Sequence, residues 1–146
     1  MEATNKTLLD FQNNWEKLVD KGFQDYNSLT ADEKIWLNLG SLISAVDNGG
    51  LISHYYNSGA DRNKETIEDL IILGFTDIAE ILKQINSWFP NEQPSTDIED
   101  RNEVISNWQE GKYDELLDAY DNKFYEKEKE LENKLVQHIE RKVLTK

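Results

Sequence analysis

Apolar residues recur along this chain at three- and four-residue intervals, broken every ten to twenty residues by Gly, Asn or Pro, and no segment shows the period-two alternation of a strand. That pattern restricts the chain to amphipathic helices joined by short turns. Leu8, Phe11, Trp15, Leu18 and Val19 form the first stripe, which Gly22 is expected to end. Thr30-Ala31-Asp32-Glu33 reads as a capping box, in which Thr30 accepts from the Glu33 backbone and Glu33 reaches back to Thr30. The helix it opens turns Ile35, Trp36, Leu39, Leu42, Ile43 and Val46 inward. Asp47-Asn48-Gly49-Gly50 should stop it, because Asn and Gly tolerate the left-handed conformation of a helix C-cap.

A short helix from Leu51 to Asn57 follows, then a loop over residues 59–63 in which Asn63 is placed to cap the next helix. That helix carries Ile67, Leu70, Ile71 and Leu73, and Gly74 closes it. Thr76 caps a further helix with Ile78, Ile81, Leu82 and Ile85 buried. Residues 91–96, containing Pro94, read as a linker too short to separate domains. Residues 97–109 form a helix with Ile98, Ile105 and Trp108 inward. Residues 113–144 hold Leu116, Leu117 and Tyr120, then a charged stretch with Phe124, Leu131, Leu135 and Ile139, and whether this is one helix or two is open. The expectation is an all-α protein, one compact domain of about seven or eight helices spanning residues 1–146.

Charge narrows function. The chain has 29 acidic and 16 basic side chains, a formal charge of −13, so it should not bind nucleic acid directly, since affinity for a polyanion comes from Lys and Arg displacing counterions. A charged partner should be basic; the competing reading is that the charge only keeps the protein dispersed. A 17.0 kDa fold exposes roughly 7,700 Å². The average is therefore about one net charge per 600 Å², several-fold more dilute than duplex DNA, whose one charge per ~1.7 Å of axis on a cylinder about 20 Å across is roughly one per 100 Å². Only local clustering could approach a polynucleotide.

No run approaches the ~18 apolar residues of a membrane span, and Met1-Glu2-Ala3-Thr4-Asn5-Lys6 lacks the pattern of a secretion signal. A cytoplasmic location without membrane association is expected. Cysteine is absent, which removes disulfides and thiolate zinc sites. His54 and His138 are the only imidazoles and neither belongs to a spaced ligand pair, so neither a metal nor another cofactor is expected. Ser53, His54 and Ser58 are neighbours in sequence but point in different directions on a short helix, and no third group is evident to hold a base. His54 reads better as a hydrogen-bonded structural residue. At least one of Tyr55 and Tyr56 should complete the core, and Asn57 is placed to satisfy backbone groups at a helix end.

The carboxylate groups remain as candidate binding residues. Asp114, Asp118 and Asp121 fall at i, i+4 and i+7 and share one helix face. Glu99, Glu103 and Glu110 do likewise on the preceding helix, and Glu65, Glu68 and Asp69 make a smaller group. Like charges so spaced cost a few tenths of a kcal/mol per pair; an outward helix face must nevertheless be polar, so solvation alone also accounts for them. The Glu/Lys alternation over 126–132 reads as a solvated face.

Several segments in order resemble the bacterial DNA mimic protein family, whose shared domain was long catalogued as one of unknown function. They are Leu29-Thr30 with Glu33 and Trp36, Val46-Asp47-Asn48-Gly49-Gly50, Tyr55-Tyr56-Asn57-Ser58-Gly59, Leu73-Gly74-Phe75, Trp88-Phe89-Pro90, Arg101, and Leu117 through Asp121 to Phe124-Tyr125. The likeness covers residues 24–138, with Leu51 where an aromatic is expected and Ser53-His54 in place of a Gln-containing pair. The resemblance implies an all-helical fold, a homodimer, and an acidic surface that occupies the DNA-binding face of a transcription regulator. An alternative role with the same chemistry is an immunity protein capping a nuclease toxin. A third, of another class, is a hydrolase using His54.

Overall fold

The computed structural model describes residues 6–144, and Met1–Asn5, on which the secretion-signal argument falls, lie outside the described residues. Seven α-helices succeed one another: α1 (Gln12–Gln24), α2 (Ala31–Gly49), α3 (Leu51–Tyr56), α4 (Asn63–Ile72), α5 (Thr76–Asn86), α6 (Ile98–Ser106) and α7 (Asp114–His138). Short 3₁₀ turns over Leu8–Phe11, Tyr26–Ser28, Ser58–Arg62 and Pro90–Glu92 join them, and α7 ends in a π turn, Ile139–Val143. Among the described residues there is no strand, and the architecture is all-α. None of the helices is long and apolar enough to cross a membrane.

α2 is the axis of the fold. Its capping box forms as read from sequence: the Glu33 N–H donates to Thr30 Oγ1 (3.1 Å) and the Thr30 N–H to Glu33 Oε1 (2.9 Å). Every residue from Ile35 to Gly40 is buried, so α2 is enclosed nearly all round, as a helix packed by α1, α3, α4 and α7 must be. Close approach on two sides depends on glycine. A Cβ on Gly40 would lie 2.7 Å from the Trp15 ring, and one on Gly22 2.7 Å from Leu37. Gly22 therefore lets α1 pass close to α2 and does not end it; α1 runs on to Gln24.

Gly50 ends α2 with φ +80°, and α3 begins at once at an angle to it. Asn63 is the first residue of α4 and its side chain turns inward rather than capping. On α4, Ile67 and Leu70 are buried while Ile71 and Ile72 are exposed; the helix ends after Ile72 and the chain reverses through Gly74 (φ +93°), with the Phe75 N–H donating to the Leu70 carbonyl at 2.8 Å. Ile78, Ile81, Leu82 and Ile85 of α5 are buried as their spacing requires.

Residues 91–96 are no loose linker. They turn through positive φ at Asn91 and Glu92, bury Pro94, and supply the Ser95 carbonyl to Arg101. Asp97 caps α6 by accepting from the Glu99 N–H. Trp88 then stacks on Tyr113 (ring centroids 4.0 Å apart) with Trp108 edge-on to both, fixing the start of α7 against the ends of α5 and α6. From there α7 is one uninterrupted helix of 25 residues. Phe124, Leu131 and Leu135, with Ile139 beyond its end, are fully buried.

Candidate polyanionic face on α7

Helical geometry turns about 100° per residue, so Asp114, Asp118, Asp121, Tyr125, Glu128 and Glu132, spaced alternately by four and three, fall within a sector about 80° wide. Every α7 position in that sector, up to the point where Val136 turns under α2, is a carboxylate or Tyr125. No Lys or Arg falls inside it, although Lys129 borders it. Lys123, Lys127 and Lys134 project from the opposite side, where Lys127 pairs with Asp77 (4.0 Å) and Glu130 (3.8 Å). The sector is ~27 Å long.

Asp47, the last acidic residue of α2, joins the stripe from the side. It hydrogen-bonds with Glu128, and burial, that bond and the charges of Asp47 and Glu132 together push the Glu128 carboxyl up to about 7. The Tyr125 phenol lies among these groups: burial raises its pKa, and Asp121, Glu128 and Asp47 raise it further. The Tyr125 hydroxyl stands 3.5 Å from the Val46 carbonyl at the negative end of α2. Five carboxyl groups of α7 and one of α2 thus share a strip ~27 Å long; with one proton held between Glu128 and Asp47 that leaves about one charge per 5 Å, against one phosphate per ~3.4 Å along a single DNA strand. Over the whole surface of 8669 Å² the average is one net charge per about 670 Å².

The acidic candidates separate into groups. Asp114 and Asp118 are exposed, and Glu110 lines a cleft with Asp114 beside Tyr56 and Trp108. Glu99 and Glu103 are exposed on α6, and Glu65 and Glu68 on α4. Two candidates face inward instead. Asp69 is buried and accepts from Asn38 Nδ2 (2.9 Å), whose Oδ1 accepts from Arg62 Nε (2.8 Å); burial raises the Asp69 pKa. Asp121 is half-buried, with Oδ1 accepting the Leu51 N–H at 2.8 Å, and burial outweighs that bond in raising its pKa. Its position on the outward face of an isolated helix is overridden because α3 begins against it. Glu128, Glu132 and Asp47 were missed as members of the stripe, although the continuation 121, 125, 128, 132 of the four-three spacing was the available signal.

The Asn-Gly-Gly segment supports this face, and the Tyr-Tyr-Asn segment ties α3 to α5 and α6 behind it. Asp47, Asn48 and Gly49 form the exposed end of α2. Tyr55 is fully buried and Tyr56 is exposed. The Tyr55 hydroxyl donates to Asn86 Oδ1 (2.7 Å), Asn86 Nδ2 donates to Asn63 Oδ1 (2.7 Å), and Asn63 Nδ2 donates to His54 Nε2 (3.2 Å). Burial first, then the positive charges of Arg101 and Arg62, lower the His54 pKa to about 3. The imidazole is neutral, 1% exposed, and its Nε2 is committed to Asn63, the arrangement of a hydrogen-bonded structural histidine. Asn57 closes α3, Nδ2 donating to the Ser53 carbonyl, while Ser58 opens the following turn exposed.

Arg101, which periodicity treats as one more charged position, is fully buried. Its Nε donates to the Tyr55 carbonyl (3.0 Å), Nη2 to the Asn57 carbonyl (2.8 Å), and Nη1 to the Ser95 carbonyl and Asp61 Oδ1 (both 2.8 Å). The guanidinium satisfies carbonyls at the C-terminus of α3 that the helix leaves without partners. The available signal was its place at an inward position between Ile98 and Ile105.

An all-helical protein with a carboxylate-lined helix face is the class that this fold and site define. The family model described as DMP19-like protein matches residues 27–142, and the chain belongs to that family, a family of DNA mimic proteins. No curated protein and no solved structure matches the chain.

Proposed function

We propose that this chain binds the basic DNA-contacting surface of a partner protein through the α7 face and so competes with DNA for it. The observation that carries this reading is the lysine-free sector from Asp114 to Glu132, reinforced by Asp47. Arg and Lys of the partner would meet carboxylates in place of phosphates and make charge-assisted hydrogen bonds to them. Membership of a DNA mimic family supports the same reading.

Electrostatics sets the quantitative expectation. Affinity should fall with salt, but less steeply than the partner's affinity for DNA, because the strip carries fewer charges per unit length and condenses fewer counterions. The test is capture from a host lysate on the immobilised protein with elution in a salt gradient, followed by titration of this chain into a complex of the eluted protein with duplex DNA. Release of DNA at stoichiometric amounts is expected. An eluted protein that keeps its DNA throughout the titration overturns the proposal.

A further inference from the structure

Beside the α7 stripe lies a groove of about 500 Å³ between the Leu8–Phe11 turn and α2, walled by Leu8, Leu9, Trp15 and Ile43. Two of its polar lining residues, Asp47 and Glu132, belong to the stripe itself. The Leu8 N–H points to Glu132 Oε1 (3.4 Å), so apolar wall and acidic strip meet at one edge. Leu9, 80% exposed, leaves an apolar side chain uncovered at the mouth. Polyanion mimicry needs none of this, since phosphates have no apolar counterpart.

We infer that this groove seats a bulky apolar side chain from a basic segment of the partner, so that one segment contacts groove and stripe together. The inference rests on the function proposed above and adds the feature that distinguishes partners. Charge complementarity selects the occupant. Carboxylates on the rim favour an apolar residue flanked by Lys or Arg, and they repel both an acidic segment and a second copy of a chain with charge −13. A DNA-binding protein whose basic surface lacks such a side chain would bind the stripe alone and more weakly.

The test uses two short fluorescein-labelled peptides of Lys and Arg, one with a central Phe and the other with Ser in its place, and reads fluorescence anisotropy with the full chain. The Phe peptide should bind about tenfold more tightly, as expected for burial of one large apolar side chain. Leu9→Ser, and Ser44→Gln, which fills the groove from α2, should each bring the two peptides within about twofold while leaving the Ser peptide's affinity unchanged. Both substitutions are at exposed positions, so folding is not at stake. Equal affinity of the two peptides for the unmodified chain, with salt-sensitive binding retained, overturns the groove and leaves the stripe standing. A Phe preference that survives both substitutions also overturns it. So does a groove already covered by a second copy, seen when Leu9→Ser alters sedimentation but not peptide preference. If the Phe preference holds but Asp47→Lys, at the exposed edge where groove and stripe meet, changes the affinity of neither peptide, the joint contact of groove and stripe is overturned.

Discussion

Asp121 and Leu51 are joined across seventy positions of sequence: the Asp121 carboxylate accepts the first backbone N–H of α3 at 2.8 Å. The contact anchors the acidic face of α7 to the turn at Gly50, where φ is +80° and an added Cβ would lie 2.6 Å from Asp121 Oδ2. The Asn-Gly-Gly segment and the Asp at 121 are therefore one structural unit.

Removing that unit should cost stability before it costs binding. Asp121→Ala leaves the Leu51 N–H without its partner and should destabilise the fold by about 1–2 kcal/mol. Gly50→Ala meets both the positive φ and the carboxylate and should cost a similar amount or more. Urea unfolding followed by circular dichroism measures both. Unchanged midpoints would show that the contact is dispensable.

Arg101 should be the most sensitive single position. Arg101→Met strips donors from three carbonyls and leaves Asp61 unpaired, and a loss of about 3 kcal/mol or more is expected. Arg101→Lys should rescue little, because one ammonium cannot reach partners arranged for a planar fork. A variant with Lys as stable as the original chain would contradict this.

His54 and Glu128 should bend the pH profile of stability in opposite senses. His54 titrates near 3 when folded and near 6.5 when unfolded, so between those values the unfolded chain binds the extra proton. Its contribution is full above 6.5 and is lost as pH falls toward 3. His54→Asn should flatten that acid limb in urea melts between pH 4 and 7. An acid limb of unchanged slope would show that the imidazole is not the group responsible.

Glu128 works the other way. Its carboxyl titrates at about 7 when folded, against 4.5 as the ordinary value, so the native state holds a proton that the unfolded state has released. The stability it lends is complete below 4.5 and is lost as pH rises through 7. Glu128→Gln should therefore gain stability relative to the original chain between pH 5 and pH 8. Ionisation also adds charge to the stripe, so affinity for a basic peptide should rise over pH 6–8 and should cease to do so in Glu128→Gln. A Glu128→Gln variant that keeps this rise would place the titrating group elsewhere.

Local rules made most of the helices legible. The Thr30–Glu33 box, the stop at Gly50 and the inward stripes of α2 and α5 depend on nearest-neighbour geometry, which a sequence displays directly. Gly22 misled because a glycine that ends a helix and one that admits a neighbouring helix look alike until Leu37 is in place. Asp69 and Asp121 misled for the same kind of reason. Their burial is decided by Asn38 and Leu51, thirty-one and seventy residues away. Arg101 was hidden because three of its four partners are backbone carbonyls, which every residue carries, and the fourth, Asp61, is forty residues away. The upper part of the stripe was visible in the 114, 118, 121 spacing; its lower part was masked by interleaved lysines that the helix turns to the other side.

Location of charge, rather than its total, is the centre of this account. Asp114→Lys/Asp118→Lys and Glu126→Lys/Glu130→Lys change the net charge equally, but the first pair lies in the stripe and the second on the far side of the same helix, with all four residues exposed. The measurement is the concentration of each variant needed to displace duplex DNA from the captured partner. The stripe pair should require at least about tenfold more protein than the original chain, since close charge pairs at interfaces couple by ~1.5 kcal/mol or more, while the far-side pair should stay within about twofold. Equal losses in the two variants would contradict the account.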